Sequence, residues 1–163
     1  MVFIPLKPLP IPIQVKPNQN MKIRKFDLDD REQVVNLWIQ CKLTVAWNDP
    51  YKDIQRKMKV DPDLFLVGEL SGNIVATVMG GYEGHRGWIN YLAVSPHHRK
   101  KGFGQRIMVE VEEMLKQKGC PKINLQVRES NKDVILFYEA IGYGIDKVVG
   151  LGKRLEEDSG KSD

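Results

Sequence analysis

Cysteine and histidine are scarce in this sequence, and their placement excludes two classes of protein. The 163 residues include only two cysteines, Cys41 and Cys120, and three histidines. Because the cysteines stand far apart and form no C-x-x-C pair, the sequence encodes neither a disulfide framework nor a zinc site, and we expect no metal. Such cysteine usage favours a reducing compartment, so we expect a cytoplasmic location.

Long apolar runs are also missing. No run approaches the roughly 20 consecutive apolar residues that span a bilayer, so we expect no membrane partner. The first segment, residues 1–20, holds five of the nine prolines and no acidic residue, and these prolines would break the helix of a signal peptide. We expect a Pro-rich, extended amino-terminal extension, of a kind that can join the sheet of a second copy in a homodimer.

The charge balance is only mildly basic. There are 25 lysines and arginines against 21 acidic residues, which gives a formal net charge of +4. This surplus is too small to require nucleic acid, so we expect no nucleic-acid partner, while it suits an anionic cofactor. A nucleic-acid-binding module built on the basic run 97–101 ranks last among our functional hypotheses, because that run lacks interleaved aromatic residues.

Apolar periodicity and turn residues predict a single domain over residues 21–155, followed by a polar tail over 156–163. An antiparallel hairpin lies in the middle and a right-handed β-α-β crossover surrounds a glycine-rich loop. We therefore expect an α/β fold with a central, mostly antiparallel mixed sheet flanked by about four helices. The predicted strands are 22–26, 64–70, 74–82, 88–94, 122–127 and 143–151, and the predicted helices begin after Asp30, after Asp49, after Gly104 and at Lys132.

The most informative segment is the basic glycine loop RKKGFG at 99–104, which follows a predicted strand and opens a predicted helix. Glycines at the start of a helix leave backbone N–H groups free, and the helix dipole adds partial positive charge there. Three basic side chains at 99–101 add charge, so a ligand with more than one phosphate is expected. The loop has neither the lysine of a Walker A motif nor the third glycine of a dinucleotide-binding fingerprint.

The loop and its surroundings resemble a known family. RKKGFG, directly after the strand LAV and Ser95-Pro96, resembles the R/Q-x-x-G-x-G/A acetyl-CoA motif of the GCN5-related N-acetyltransferase (GNAT) family. Ser130-Asn131 and FYEAIGY at 137–143 resemble its downstream signature. The phrases WNDP and VMGGYEGHRG resemble the bacterial YpeA-type acetyltransferases of this family. The resemblance implies the GNAT fold, whose central parallel strands splay apart, and acetyl-CoA as co-substrate.

The resemblance also implies where the cofactor binds. The strand before the loop would offer backbone groups to the pantetheine arm and an N–H group to the thioester oxyanion. The loop N–H groups would hold the pyrophosphate. The cofactor-binding residues implied in this way are Leu92, Ala93, Val94, Arg99, Lys100, Lys101, Gly102, Phe103, Gly104, Gln105, Asn131 and Tyr138.

The family chemistry is direct attack of a neutral amine on the thioester in a ternary complex. Tyr138 matches the position of the family's acid, which protonates the departing thiolate. The base is less well marked, because Gln126 stands where some relatives place a glutamate. Glu83 and His85, in the turn before the cofactor strand, are the alternatives, although each is also typical of a solvated loop residue. Asn131 is equally typical of a helix cap, and Tyr138 of a packed core tyrosine.

The acceptor is expected to be an amine-bearing small molecule or protein, held over the first two helices and the hairpin loops. Acidic and aromatic side chains suit an ammonium group, and the candidates are Trp47, Asn48, Asp49 and Glu83. Two functional hypotheses remain ahead of nucleic-acid binding. The first is an acetyl-CoA-dependent N-acetyltransferase, and the second is a non-catalytic acyl-CoA-binding regulatory protein, which the glutamine at position 126 would permit.

Overall fold

The computed structural model describes residues 20–158. Within this range the chain forms five strands and four α-helices, joined by three short 3-10 turns. The predicted amino-terminal extension, apart from its last residue, lies outside the described residues. The strands are β1 Lys22–Lys25, β2 Phe65–Leu70, β3 Asn73–Tyr82, β4 Gly87–Val94 and β5 Ile123–Asn124, and the helices are α1 Arg31–Gln40, α2 Pro50–Lys57, α3 Phe103–Gln117 and α4 Lys132–Ala140.

The five strands form one mixed sheet in the order β1-β2-β3-β4-β5. The first three pairings are antiparallel; short turns join β2 to β3 and β3 to β4, whereas β1 reaches β2 through α1 and α2. The last pairing is parallel and reaches only two residue pairs, Gly87 with Ile123 and Trp88 with Asn124. Beyond Trp88, therefore, β4 and β5 separate, and the carboxyl-terminal half of β4 has a free edge.

Helices cover both faces of the sheet. On one face, α3 and α4 pack a core that includes Ile107, Val111 and Leu115, spaced at one helical turn and fully buried. On the other face, α1 and α2 pack through Trp38 and Ile54 against β2 and β3. These two layers confirm the predicted α/β fold with a mostly antiparallel sheet.

Two predicted strands differ in the structure. The strand predicted at 122–127 is reduced to the two residues of β5, and the strand predicted at 143–151 is wrong, because the described chain has no strand there. Gly142, with φ of +102°, ends α4, and the following β-branched residues Val148 and Val149 are exposed. Since β5 ends at Asn124, the segment 143–151 has no neighbouring strand to complete a hydrogen-bonded ladder.

Two further features of residues 20–158 bear on partners. None of the helices in this range combines the length and apolar character that a bilayer crossing requires. The same range contains no group of three or more histidine, cysteine, aspartate or glutamate side chains placed to hold a metal ion.

Candidate functional site

The amino terminus of α3 has the geometry of an anion-binding site. Gly102 precedes the helix with φ of +79°, and no side chain caps it within the described chain. Lys100 also has a left-handed backbone, with φ of +59°. The first hydrogen bond of the helix is donated by the N–H of Arg106 to the Gly102 carbonyl at 3.0 Å. The N–H groups of the first turn therefore point out of the helix end, where an anion can accept from them.

The side chains around this helix end divide into two groups. Phe103 is 1% exposed and packs into the core, so only its backbone N–H is available to a ligand. Arg99 and Lys100 are exposed, and the Arg99 Nε donates to the Val94 carbonyl at 3.3 Å. Lys101 is half-buried on the same loop. The loop thus presents backbone donors with basic side chains beside them.

Gly104 sets how closely α3 approaches its neighbours. A Cβ at this position would lie 3.2 Å and 3.3 Å from ring atoms of Phe137 on α4, and 3.5 Å from a methyl group of Val94 on β4. The glycine therefore brings the helix end against the last residues of β4. This close packing places the loop beside the free edge of β4, where the family resemblance leads us to expect the pantetheine arm.

A β-bulge interrupts β4 between Asn90 and Ala93, shortly after its last pair with β5 at Trp88. The register with β3 shifts between Thr77 and Met79, and Tyr91 takes a left-handed backbone with φ of +50°. Bulges re-aim backbone groups and are frequent beside functional sites. Here Tyr91 lies directly before Leu92, so the bulge changes the direction of the backbone groups of Leu92 to Val94 along the free edge.

A buried hydrogen-bond chain holds this bulge. The Trp38 Nε1 donates to the Thr77 hydroxyl at 2.9 Å, and that hydroxyl donates to the Tyr91 carbonyl at 2.9 Å. Trp38 and Thr77 are fully buried. The Tyr91 ring also stacks on the Trp38 indole with ring centroids 3.9 Å apart. The bulge is therefore fixed from the α1 side of the sheet.

Replacing Thr77 by valine keeps the shape of the side chain and removes its hydroxyl. We expect the free energy of unfolding to fall by about 2 kcal/mol, because the buried Trp38 N–H loses its acceptor. Urea unfolding followed by tryptophan fluorescence measures the change. Thr77→Ser retains the hydroxyl and is the matched control, expected to lose less. Equal loss in the two variants would contradict the role assigned to the hydroxyl.

Tyr138 lies on α4 with its side chain 8% exposed. Its ring meets Phe137 and Tyr143 edge to face, with centroids 5.2 Å and 5.5 Å apart. Burial raises the pKa of its phenol above the ordinary value. The hydroxyl therefore keeps its proton at neutral pH and can act as a donor but not as a base.

Asn131 and Glu83 occupy different surroundings. Asn131 precedes α4, but its side chain makes no capping hydrogen bond to the described chain and is exposed. Glu83 lies in the turn between β3 and β4, where its carboxylate accepts from the N–H groups of His85 at 3.1 Å and Arg86 at 2.6 Å. This carboxylate orders the turn at the opposite end of β4 from the glycine loop. The structure does not bring Glu83 together with Tyr138.

Of the four expected acceptor residues, Trp47, Asn48 and Asp49 lie directly before α2, whereas Glu83 lies in the turn between β3 and β4. Trp47 is 53% exposed, and the Asp49 carboxylate caps α2 by accepting from the N–H groups of Tyr51 at 2.8 Å and Lys52 at 3.4 Å. Sequence reasoning missed Asp53 on the same helix, whose carboxylate accepts from the Tyr91 hydroxyl at 2.6 Å. No local motif marks this pair, because the partners are 38 residues apart.

Comparisons with known proteins agree with this architecture. The model of the "Acetyltransferase (GNAT) family" matches residues 31–143. An acetyltransferase of Sodalis glossinidius is 50% identical over 139 residues, covering 85% of this chain and 98% of the relative. An acetyltransferase of Pectobacterium atrosepticum is 51% identical over 138 residues, with the same coverage.

Solved structures show the same fold at low sequence identity. Ard1 from Thermoplasma volcanium matches with a TM-score of 0.67 and 20% identity, over 77% of this chain and 84% of that one. The aminoglycoside acetyltransferase AAC(6')-Iy, solved with a bisubstrate analogue that contains CoA, matches with a TM-score of 0.68 and 17% identity, over 83% and 99%. With the family match over most of the chain, these comparisons show that this protein belongs to the GNAT family of acetyltransferases.

Proposed function

We propose that this acetyltransferase moves the acetyl group of acetyl-CoA to a primary amine by direct attack in a ternary complex. The observation that carries the proposal is the uncapped amino terminus of α3 beside the free edge of β4. The free N–H groups at the start of α3 can donate to phosphate. The unpaired edge of β4 offers donors and acceptors to an extended arm that contains amides. Acetyl-CoA has both parts, and it supplies an activated thioester carbonyl when bound.

The proposal assigns the following roles to the loop, the strand and Asn131. The N–H groups of Phe103, Gly104 and Gln105 donate to pyrophosphate oxygens, and Lys100 and Lys101 place positive charge beside them. Along the strand, backbone groups of Leu92 to Val94 pair with the pantetheine amides, and an N–H at the bulge stabilises the oxyanion. The Asn131 side chain contacts the arm from the start of α4. The CoA-containing analogue in the AAC(6')-Iy structure supports a cofactor of this kind.

Proton transfer to the departing thiolate is assigned to Tyr138, and the protons that the acceptor's ammonium group and the attacking amine lose are assigned to solvent water. Tyr138 donates its phenolic proton to the departing thiolate, because burial keeps that proton in place at neutral pH. Asp53 is the carboxylate hydrogen-bonded to the bulge residue Tyr91, and we assign it the attraction of the acceptor's ammonium group. Glu83 stays the alternative carboxylate for the amine, with its oxygens accepting from the N–H groups of His85 and Arg86 in the turn.

A thiol-release assay with a panel of amines tests the proposal. We expect CoA release above the rate of simple hydrolysis with at least one amine, together with an acetylated product identified by mass spectrometry. Binding of acetyl-CoA without transfer to any amine would contradict the enzymatic proposal and favour the acyl-CoA-binding regulatory protein. Acceptors should include small amines, carboxylate-bearing amines and peptides with free amino termini.

A further inference from the structure

The carboxyl-terminal segment, residues 151–158, packs against α2 with one buried side chain, that of Asp158. Asp158 is 4% exposed, whereas Leu151 and Leu155 before it are 93% and 91% exposed. The residues from 151 to 157 are all exposed. The segment's other polar contacts with this region are solvent-exposed, namely Arg154 Nη2 donating to Asn48 Oδ1 at 3.1 Å and Glu156 lying 3.5 Å from Arg56, so the segment can leave at little cost to the rest of the fold.

The groups that contact the Asp158 side chain form a carboxylate-binding site. Both guanidinium nitrogens of Arg56 donate to it, with Nη2 at 2.6 Å from Oδ1 and Nη1 at 3.1 Å from Oδ2. The N–H of Asp49 donates to Oδ2 at 3.0 Å, and the Lys52 ammonium donates to the Asp158 backbone carbonyl at 3.1 Å. This fork geometry matches the two oxygens of a carboxylate. The Arg56 guanidinium also holds the pKa of Asp158 well below its usual range.

Hydrogen bonds through Asp53 connect Arg56 of this site to Tyr91 in the bulge of β4. Arg56 Nη1 donates to Asp53 at 3.1 Å, and Asp53 accepts from the Tyr91 hydroxyl at 2.6 Å. An open cleft of about 570 Å³ borders Arg56; apart from Asn48 and Arg56, it is lined by the carboxyl-terminal segment itself, residues 152–156 and 158, and so exists in this form only while the segment is docked. Neither Asp53 nor Tyr91 lines this cleft, so Arg56 is connected with the proposed thioester position by the hydrogen bonds through Asp53 to Tyr91 and not by the cleft itself.

We propose that Arg56 and the Asp49 N–H form the binding subsite for a carboxylate group of the amine acceptor, and that Asp158 occupies this subsite until the acceptor replaces it. The proposal rests on the proposed acetyltransfer reaction and names its substrate class, an amine that also bears a carboxylate. At the guanidinium fork itself, the carboxylate of Asp158 leaves as the acceptor's carboxylate arrives. Glu156, 3.5 Å from Arg56, stays on the segment and leaves with it.

Acetate is a probe of the subsite that does not depend on catalysis. Amide chemical shifts are followed by NMR while acetate is added to the wild type, to Asp158→Ala and to the double variant Asp158→Ala/Arg56→Gln. In Asp158→Ala we expect a saturable shift of the Asp49 amide. The wild type should require at least about tenfold more acetate, because its own carboxylate occupies the subsite most of the time. The double variant should not respond. No shift in Asp158→Ala, or an equal shift in the double variant, overturns the proposal.

Kinetics with matched acceptors test the substrate class. The same dipeptide is offered with a free carboxyl terminus and as its amide. We expect Asp158→Ala to lower KM for the free acid by about tenfold and to leave the KM for the amide unchanged, since only the acid competes with Asp158. Glu157→Ala, at the exposed neighbouring position, is the control variant and should change neither. Equal changes for acid and amide overturn the proposal. Absence of transfer to every acceptor counts against the acetyltransfer reaction, while the acetate titration still decides the subsite.

Discussion

Gly102→Asp is expected to weaken acetyl-CoA binding by at least about 100-fold, because losing two charge-assisted hydrogen bonds of roughly 1.5 kcal/mol each is enough for that change. Gly102 lies immediately before the unpaired N–H groups of α3, so a carboxylate here competes with the pyrophosphate for the same donors. The positive φ of +79° adds backbone strain, although aspartate tolerates that region better than most residues. Isothermal titration calorimetry with acetyl-CoA measures the loss.

Gly119→Asp is the matched control for this substitution. Gly119 follows the other end of α3, has φ of +85°, and has open space where a Cβ would lie. The same charge and a similar backbone strain are therefore introduced at the far end of the same helix. We expect this variant to bind acetyl-CoA as the wild type does. If both variants bound acetyl-CoA with similarly weakened affinity, the loss would be due to altered folding, and a role for the glycine loop would be contradicted.

Tyr138→Phe is expected to lower kcat by about 100-fold, a value at the lower end of the effects of removing a general acid. The affinity for acetyl-CoA should be nearly unchanged. The substitution removes only the hydroxyl from a buried ring, so the packing against Phe137 and Tyr143 is retained. Steady-state thiol release and calorimetry separate the two quantities. Because burial raises the pKa of the phenol, the wild-type rate should not fall through loss of this proton up to about pH 10.

A second tyrosine provides the control for Tyr138. Tyr143 packs against the same ring, and its hydroxyl donates to Glu112 at 2.7 Å. Tyr143→Phe therefore removes a hydroxyl from the same cluster without touching the proposed acid, and its kcat should stay within a few-fold of the wild type. An unchanged kcat in Tyr138→Phe would exclude this hydroxyl as the acid.

The parts of the molecule that follow local rules were predictable from the sequence. The glycine loop and the start of α3 stand together in the chain, and strand alternation with turn residues located β2, β3 and β4 within one residue. The resemblance to the GNAT family is confirmed by the family match over residues 31–143. These features depend on neighbours in sequence, which is why periodicity and motif spacing reveal them.

Long-range contacts account for what the sequence did not reveal. The bulge at Tyr91 depends on a hydrogen bond from Thr77, 14 residues away, and Asp158 finds Arg56 across 102 residues. The predicted strand at 143–151 failed for a related reason, because a β-branched run becomes a strand only where a neighbour continues beside it. Each of these outcomes is decided by tertiary packing, which overrides the local pattern.

We propose that acetyl-CoA binds with its pyrophosphate at the amino terminus of α3. The most direct measurement compares amide chemical shifts on adding acetyl-CoA with those on adding acetyl-pantetheine, which has the thioester arm but no pyrophosphate. We predict that the amides of Phe103, Gly104 and Gln105 shift strongly with acetyl-CoA and little with acetyl-pantetheine, while the amides of Leu92 to Val94 respond to both. Saturating acetyl-CoA that leaves the three loop amides unmoved would contradict the account.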